Sequence, residues 1–232
     1  MLRELVYRPL TSGEDLEALY RFRYRMYLQD GMCTPNASRM VCDPMDEAPG
    51  AMQFGVYLDD ALVSTIRLTL MRGEQRQGPS MLAYPEHIAP MLDAGQTLID
   101  PARFAVDTAM ADRSPLLPHL TIRLAALASV HFKADYCTSV VQDGHRGFYK
   151  RFLLGEEVAG GKVFPGLECT THLLVSRVPD VEAYARARYP FFLGLDVEKQ
   201  MLFGFDPKKG PPLAVKSTAE LLQRRRERGL DA

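Results

Sequence analysis

Six charged residues of this chain stand in an apolar helical stripe, in strands or in a proline-bearing loop: Arg23, Asp43, Asp46, Arg67, Asp100 and Arg103. Ionised side chains are rarely buried unless they are paired or functional. Guanidinium forks match carboxylates, and a carboxyl group lifted toward neutrality by desolvation can accept a proton at neutral pH. The set therefore supports either a functional site or a buried structural ion pair. Other chemistries lack their signatures: there is no H-E-x-x-H, no G-x-S-x-G, no Walker loop and no Rossmann glycine fingerprint. The five histidines (87, 119, 131, 145, 172) are dispersed, so no metal site is expected.

The elements that must position these residues are legible in outline. A strand over Glu4 to Leu10 precedes Ser12-Gly13-Glu14-Asp15, whose capping groups open a helix of about 14 to 30. Its apolar stripe is Leu16, Leu19, Tyr20 and Tyr27; Arg23 falls inside it, while Arg21 and Arg25 point away. A polar loop from Gly31 to Gly50 carries Asp43 and Asp46, where aspartates also make turns. Met52 to Leu58 and Leu62 to Leu70 alternate around Asp59-Asp60 as a hairpin, and Arg67 has strand neighbours on both sides. After an excursion over 72 to 97, with a short helix near 85 to 93, Thr97 to Asp107 reads as a strand interrupted by Pro101. A bulge at Pro101 would bring Asp100 and Arg103 to one face. A helix over Leu116 to Lys133, a strand over Tyr136 to Gln142, a short helix over Gly144 to Leu154, a last strand over 168 to 178 and a helix from Val181 to Arg188 follow. The order reads as a mixed α/β (α+β) domain over residues 1–189 with a central, mostly antiparallel sheet flanked by helices. Residues 190–232 read as a C-terminal extension of the same domain, ending in a charged helix over Thr218 to Arg228.

Bulk properties narrow the class. The 232 residues are 47% hydrophobic and 25% charged, with a net charge of -1, which favours neither nucleic acid nor a membrane surface. No apolar run approaches the about 20 residues that span a bilayer. The four cysteines form no C-x-x-C pair and no signal peptide is evident, so a reducing, cytoplasmic setting is expected.

The same residues carry a resemblance. The segment 22-FRYRMY-27, with Arg23 and Tyr27, resembles the first-helix motif of LuxI-type autoinducer synthases and the related N-acyl amino acid synthases. The loop 43-DPMD-46 resembles their D-x-x-D, and 66-IRL-68 their next arginine. The strand 100-DPARFAVD-107 is similar to their E-x-S-R-F-x-V-D, and 141-VQDGHRGFYKRFLLG-155 resembles their later strand-to-helix segment. The resemblance implies the GNAT acyltransferase fold, in which the fourth and fifth strands splay and the donor's pantetheine arm lies between them. It implies acyl transfer from a phosphopantetheine thioester, on acyl carrier protein or coenzyme A, to an amine, with no tightly bound cofactor.

Roles follow from that resemblance. Asp100 is the expected proton acceptor beside Arg103. Arg23, Tyr27, Asp43, Asp46, Arg67 and Phe104 are expected to bind substrate, and bulge amides would polarise the thioester carbonyl. Arg146, Lys150 and Arg151 are expected contacts for acidic acyl carrier protein. The chain also departs from the autoinducer synthases. It has no tryptophan, Cys33 standing about where theirs falls; Val41 replaces a glutamate, and Asp100 replaces another. These changes argue against S-adenosylmethionine as acceptor and favour an amino acid. The stretch 107-DTAMADRSPL-116 has no glycine, unlike the acetyl-CoA-binding loop of ordinary acetyltransferases, which favours a longer acyl chain on carrier protein. Two alternatives stand beside this reading: an acyl-homoserine lactone synthase, and a GNAT-like module that binds lipid or carrier protein without turnover.

Overall fold

The computed structural model describes residues 4–165, 169–205 and 212–229. Strand β1 (Val6–Pro9) leads to helix α1 (Gly13–Gln29), whose first turn is closed by Ser12 Oγ accepting from the Asp15 N–H. Strands β2 (Ala51–Leu58) and β3 (Ala61–Met71) form the expected hairpin. Asp59 and Asp60 both take positive φ (48° and 59°), the conformation a two-residue hairpin turn requires and aspartate tolerates. Helices α2 (Pro79–Ala83) and α3 (Pro85–Asp93) fill the excursion, and β4 (Leu98–Val106) follows. Next come α4 (Thr108–Arg113), α5 (Leu117–His131), β5 (Tyr136–Gln142), α6 (Arg146–Phe152), β6 (Glu156–Val163), β7 (Thr170–Arg177) and α7 (Val178–Arg188). The extension adds α8 (Asp196–Phe203), β8 (Val215–Lys216) and α9 (Ala219–Glu227).

Among the described residues the strands make one eight-stranded sheet in the order β6-β7-β5-β4-β3-β2-β1-β8. Every pairing is antiparallel except β4 with β5. Helix α1 and the α2–α3 pair cover one face, and α5 the other. Alternation sorts β3 accordingly: Ile66 and Leu68 join the core under α5, while Arg67 and Thr69 face the opposite layer.

Strand β6 is absent from the pattern read in the sequence, where a single last strand was expected. Its residues, EEVAGGKV, are almost wholly exposed at the sheet edge and carry no alternation. A Cβ on Gly160 would lie 2.3 Å from His172 Nδ1, so the close approach of β6 to β7 needs that glycine.

Helix α5 is apolar nearly all round because it is covered twice, by the sheet and by the extension. Its one buried cation, Arg123, is fully enclosed. Arg123 donates to Glu198 of α8 at 2.6 and 2.8 Å, and to the Phe191 and Leu193 carbonyls at 2.5 and 2.6 Å. Strand β8 pairs with β1, and the Ser217 N–H donates to Leu5 O. Helix α8 and strand β8 are therefore tied into the same core. Removing one partner strands the other charge out of water, so Glu198→Ala is expected to destabilise the protein by about 3–5 kcal/mol in urea titrations. A loss under about 1 kcal/mol would show that the pair does not hold the extension.

Candidate active site

The parallel ladder between β4 and β5 runs only through Leu98–Tyr136 and Ile99–Cys137. Beyond these two positions the strands part, and the β4 edge facing β5 has no strand partner. Pro101 sits at this point, opposite Leu68 and still in register, where its missing N–H removes no ladder bond. The bulge expected at Pro101 lies two residues further on. Ala102 faces Arg67 and Ala105 faces Thr65, so one extra residue is inserted at Arg103–Phe104. Arg103 takes φ +50°, a left-handed conformation costing a non-glycine residue about 1–2 kcal/mol. The bulge swings Arg103 toward the partners of Arg67.

Those partners come from a short 3₁₀ turn, Pro44–Glu47. Asp43 caps it by accepting from Met45 N, and Asp46 Oδ2 accepts from Asp43 N in return. The turn motif thus aims both carboxylates at the sheet. Arg23 donates to Asp46 Oδ1 at 2.8 Å and to Gln53 Oε1 at 2.6 Å. Arg67 donates at 2.9 Å to both Asp43 Oδ1 and Asp46 Oδ1. Arg103 Nε donates to Asp43 Oδ2 at 2.8 Å, with its NH2 group on the same oxygen. Burial alone would raise the Asp43 pKa, but Arg103 and Arg67 outweigh it and hold the carboxyl below its usual range. The set has three guanidinium groups and two carboxylates, so one positive charge is in excess. Exposure grades along it: the Arg23 and Arg67 side chains are 0% and 2% exposed, Arg103 15%.

Asp100 stands apart from the network. It is fully buried where β4 and β5 begin to separate, on the Arg67 face of the sheet. Its Oδ2 accepts from Ser80 N and Ser80 Oγ, both at 2.7 Å, and Ser80 Oγ lies 3.2 Å from Thr138 Oγ1. Its Oδ1 has no hydrogen-bond partner among the described residues. Gly78 leaves room for this approach, since a Cβ there would lie 2.9 Å from Asp100 Oδ2. Desolvation raises the carboxyl pKa to about 6, against lowering by Ser80, Thr138 and the charge of Arg67. The bulge therefore brings Arg103 to the Arg67 face without pairing it to Asp100.

A cavity of about 120 Å³ opens in the gap, lined by Tyr27, Arg67, Pro101, Arg103, Phe104 and Tyr149 among others. Of the residues singled out from sequence, Arg23, Asp43, Asp46, Arg67 and Arg103 form one network, and Tyr27 and Phe104 line the adjoining cavity. Arg146 and Lys150 lie on the exposed side of α6, bound to Glu157, and Arg151 lies over the Phe152 ring. Gln53, Ser80, Thr138 and Tyr149 escaped sequence reading. Gln53 faces Arg67 only because a bulge between Val56 and Tyr57 shifts the hairpin by one residue. Tyr149 carries a partial signal, as an aromatic residue one helical turn before Leu153.

The model of the family described as N-acyl amino acid synthase FeeM matches residues 18–177, more than half of the chain. A search of curated proteins returns no match. Among solved structures, FeeM, an N-acyl amino acid synthase from uncultured soil microbes, is 20% identical with a TM-score of 0.65, covering 78% of this chain and 94% of FeeM. An acyl-CoA N-acyltransferase from Pseudomonas aeruginosa is 16% identical with a TM-score of 0.52, covering 74% and 99%. BjaI, a CoA-dependent acyl-homoserine lactone synthase, is 12% identical with a TM-score of 0.52, covering 75% and 82%. At these identities the solved structures establish the GNAT-like acyltransferase fold. The family match goes further: this chain belongs to the FeeM N-acyl amino acid synthase family and is an acyltransferase.

Proposed function

We propose that this enzyme moves a medium- or long-chain acyl group from acyl carrier protein to the amine of an amino acid. The observation that carries the reading is Arg103. It is a partly exposed guanidinium of a network with one positive charge in excess, held on a bulge at the mouth of the gap. A free amino acid brings a carboxylate that this charge suits, and its amine then faces the gap. The pantetheine arm lies extended between β4 and β5, where amides left unpaired by the splay take the place of a strand's partners. The amine nitrogen attacks the thioester carbon, and bulge amides between Ala102 and Phe104 stabilise the oxyanion. Collapse breaks the C–S bond and releases the carrier's thiolate. The ammonium proton passes through water to Asp100, the Tyr149 hydroxyl, which burial keeps protonated, donates its proton to the thiolate, and Asp100 then returns the proton to Tyr149.

The carrier-protein reading is supported by the segment after β4. Asp107 caps α4 there, so a helix stands where ordinary acetyltransferases have a glycine loop. Arg146, Lys150 and Arg151 are our proposed contacts for the acidic carrier. Exposed pairs such as Arg146–Glu157 are held weakly, so a carrier carboxylate can exchange with them.

Two kinetic tests separate the roles, both read with purified enzyme, dodecanoyl carrier protein and an amino acid. Arg103→Ala is expected to lower kcat/KM by about 30-fold or more, and Arg103→Lys to restore little, since the bidentate fork is lost. Unchanged kinetics in Arg103→Ala would remove the acceptor site from this network. A base with a pKa raised to about 6 is active above that pH and lost as pH falls through it. Wild-type kcat/KM should therefore rise through about pH 6. Asp100→Asn should lose about 100-fold or more together with that limb. The raised pKa also means that ionising Asp100 weakens the fold as pH rises through about 6, so Asp100→Asn should gain stability at pH 8. A pH limb surviving in the asparagine variant would assign the base elsewhere.

A further inference from the structure

A second cavity, of about 280 Å³, lies on the α5 side of the sheet. The apolar part of its lining is Ala126 and Val130 of α5, Val181 and Ala185 of α7, and Phe192 and Leu222 of the extension, and charged side chains line the rest. The volume sits just below the range of about 300–1,000 Å³ typical of small-molecule pockets. It shares no lining residue with the cavity in the β4–β5 gap. Tyr149 borders the gap, and Leu153, one turn further along α6, borders this second space.

The charged residues lining this cavity are not equivalent. Arg186 is matched within α7 by Glu182, at 3.1 Å. Lys199 of α8 has a side chain only 13% exposed, and its partner, Asp196 at 2.8 Å, is 99% exposed. So exposed an aspartate is held weakly, and an arriving anion can displace it. An apolar wall beside a lysine whose side chain is mostly buried matches an alkyl chain ending in an anionic head. Phe192, Lys199 and Leu222 lie beyond residue 177, where the family match ends, so part of this lining comes from outside the matched region.

We propose that this cavity is a separate lipid site for a medium-chain alkyl carboxylate, with its tail among Ala126, Ala185 and Phe192 and its head on Lys199. A free fatty acid and an N-acyl amino acid share that chemistry. The site stands whether or not the transfer reaction above is right.

Calorimetric titration of the purified full chain with hexanoate, octanoate, decanoate, decanol and N-octanoylglycine tests it. Affinity should rise about fourfold per methylene from hexanoate to decanoate. Decanoate should bind at least about fivefold more tightly than decanol, as expected of a charge-assisted contact, and Lys199→Gln should abolish that difference without altering transfer activity. Ala126→Phe, shown by circular dichroism to be folded, should remove binding of every alkyl ligand, whereas Arg103→Ala should leave it unchanged. Tighter binding of decanoate or of N-octanoylglycine would each support the site and name its source. Absence of saturable binding to the wild type would overturn the inference, as would loss of binding in Arg103→Ala. A shift of the transfer reaction toward shorter acyl groups in Ala126→Phe would also overturn it, by making the cavity the far end of the transfer site.

Discussion

Asp43 and Asp46 draw together three parts of the chain that are distant in sequence. Arg23 comes from the first helix, Arg67 from a strand buried on both faces, and Arg103 from a bulge. Guanidinium groups taken so far out of water survive only with carboxylates on them. The two aspartates meet that need from one four-residue turn, whose capping box points both of them the same way. Without the turn, Arg67 would be a buried cation stripped of the two carboxylates it donates to, and the left-handed backbone at Arg103 would lose what holds it. The loop from Gly31 to Gly50, irregular for most of its length, is thus fixed at the point where the site requires it.

The splay of β4 from β5 is the second constraint. It exposes strand edges inside a folded domain, where unpaired amides are costly unless a ligand or water meets them. The bulge, the proline and the buried Asp100 all cluster at that opening. Local rules of sheet structure are broken together at one place, and such places are commonly functional.

Much of this was written in the sequence. The hairpin was visible from alternation around Asp59-Asp60, and Arg23 from its place in an apolar stripe, because each depends on local periodicity alone. The grouping of Asp43 and Asp46 with the arginines followed from a resemblance and not from spacing, since the loop has no period to read. The bulge was anticipated at Pro101 because proline is the obvious breaker, but an edge proline costs nothing there, and the extra residue went to Arg103. Asp100 was expected on one face with Arg103; only the fold shows that Ser80, arriving from α2, donates to its carboxylate. Strand β6 and the Arg123–Glu198 pair were hidden for opposite reasons. One is too exposed to alternate, and the other joins residues 75 apart through contacts that no local pattern encodes.

The central claim is that the guanidinium network beside the splay delivers an amino acid to an acyl thioester. Mass spectrometry of lipid extracts tests it most directly, comparing bacteria that express this chain with bacteria that express Arg103→Ala at equal level. New long-chain N-acyl amino acids are expected in the first and are lost in the second. Homoserine lactones in their place, or the same N-acyl amino acids undiminished in the variant, would contradict it.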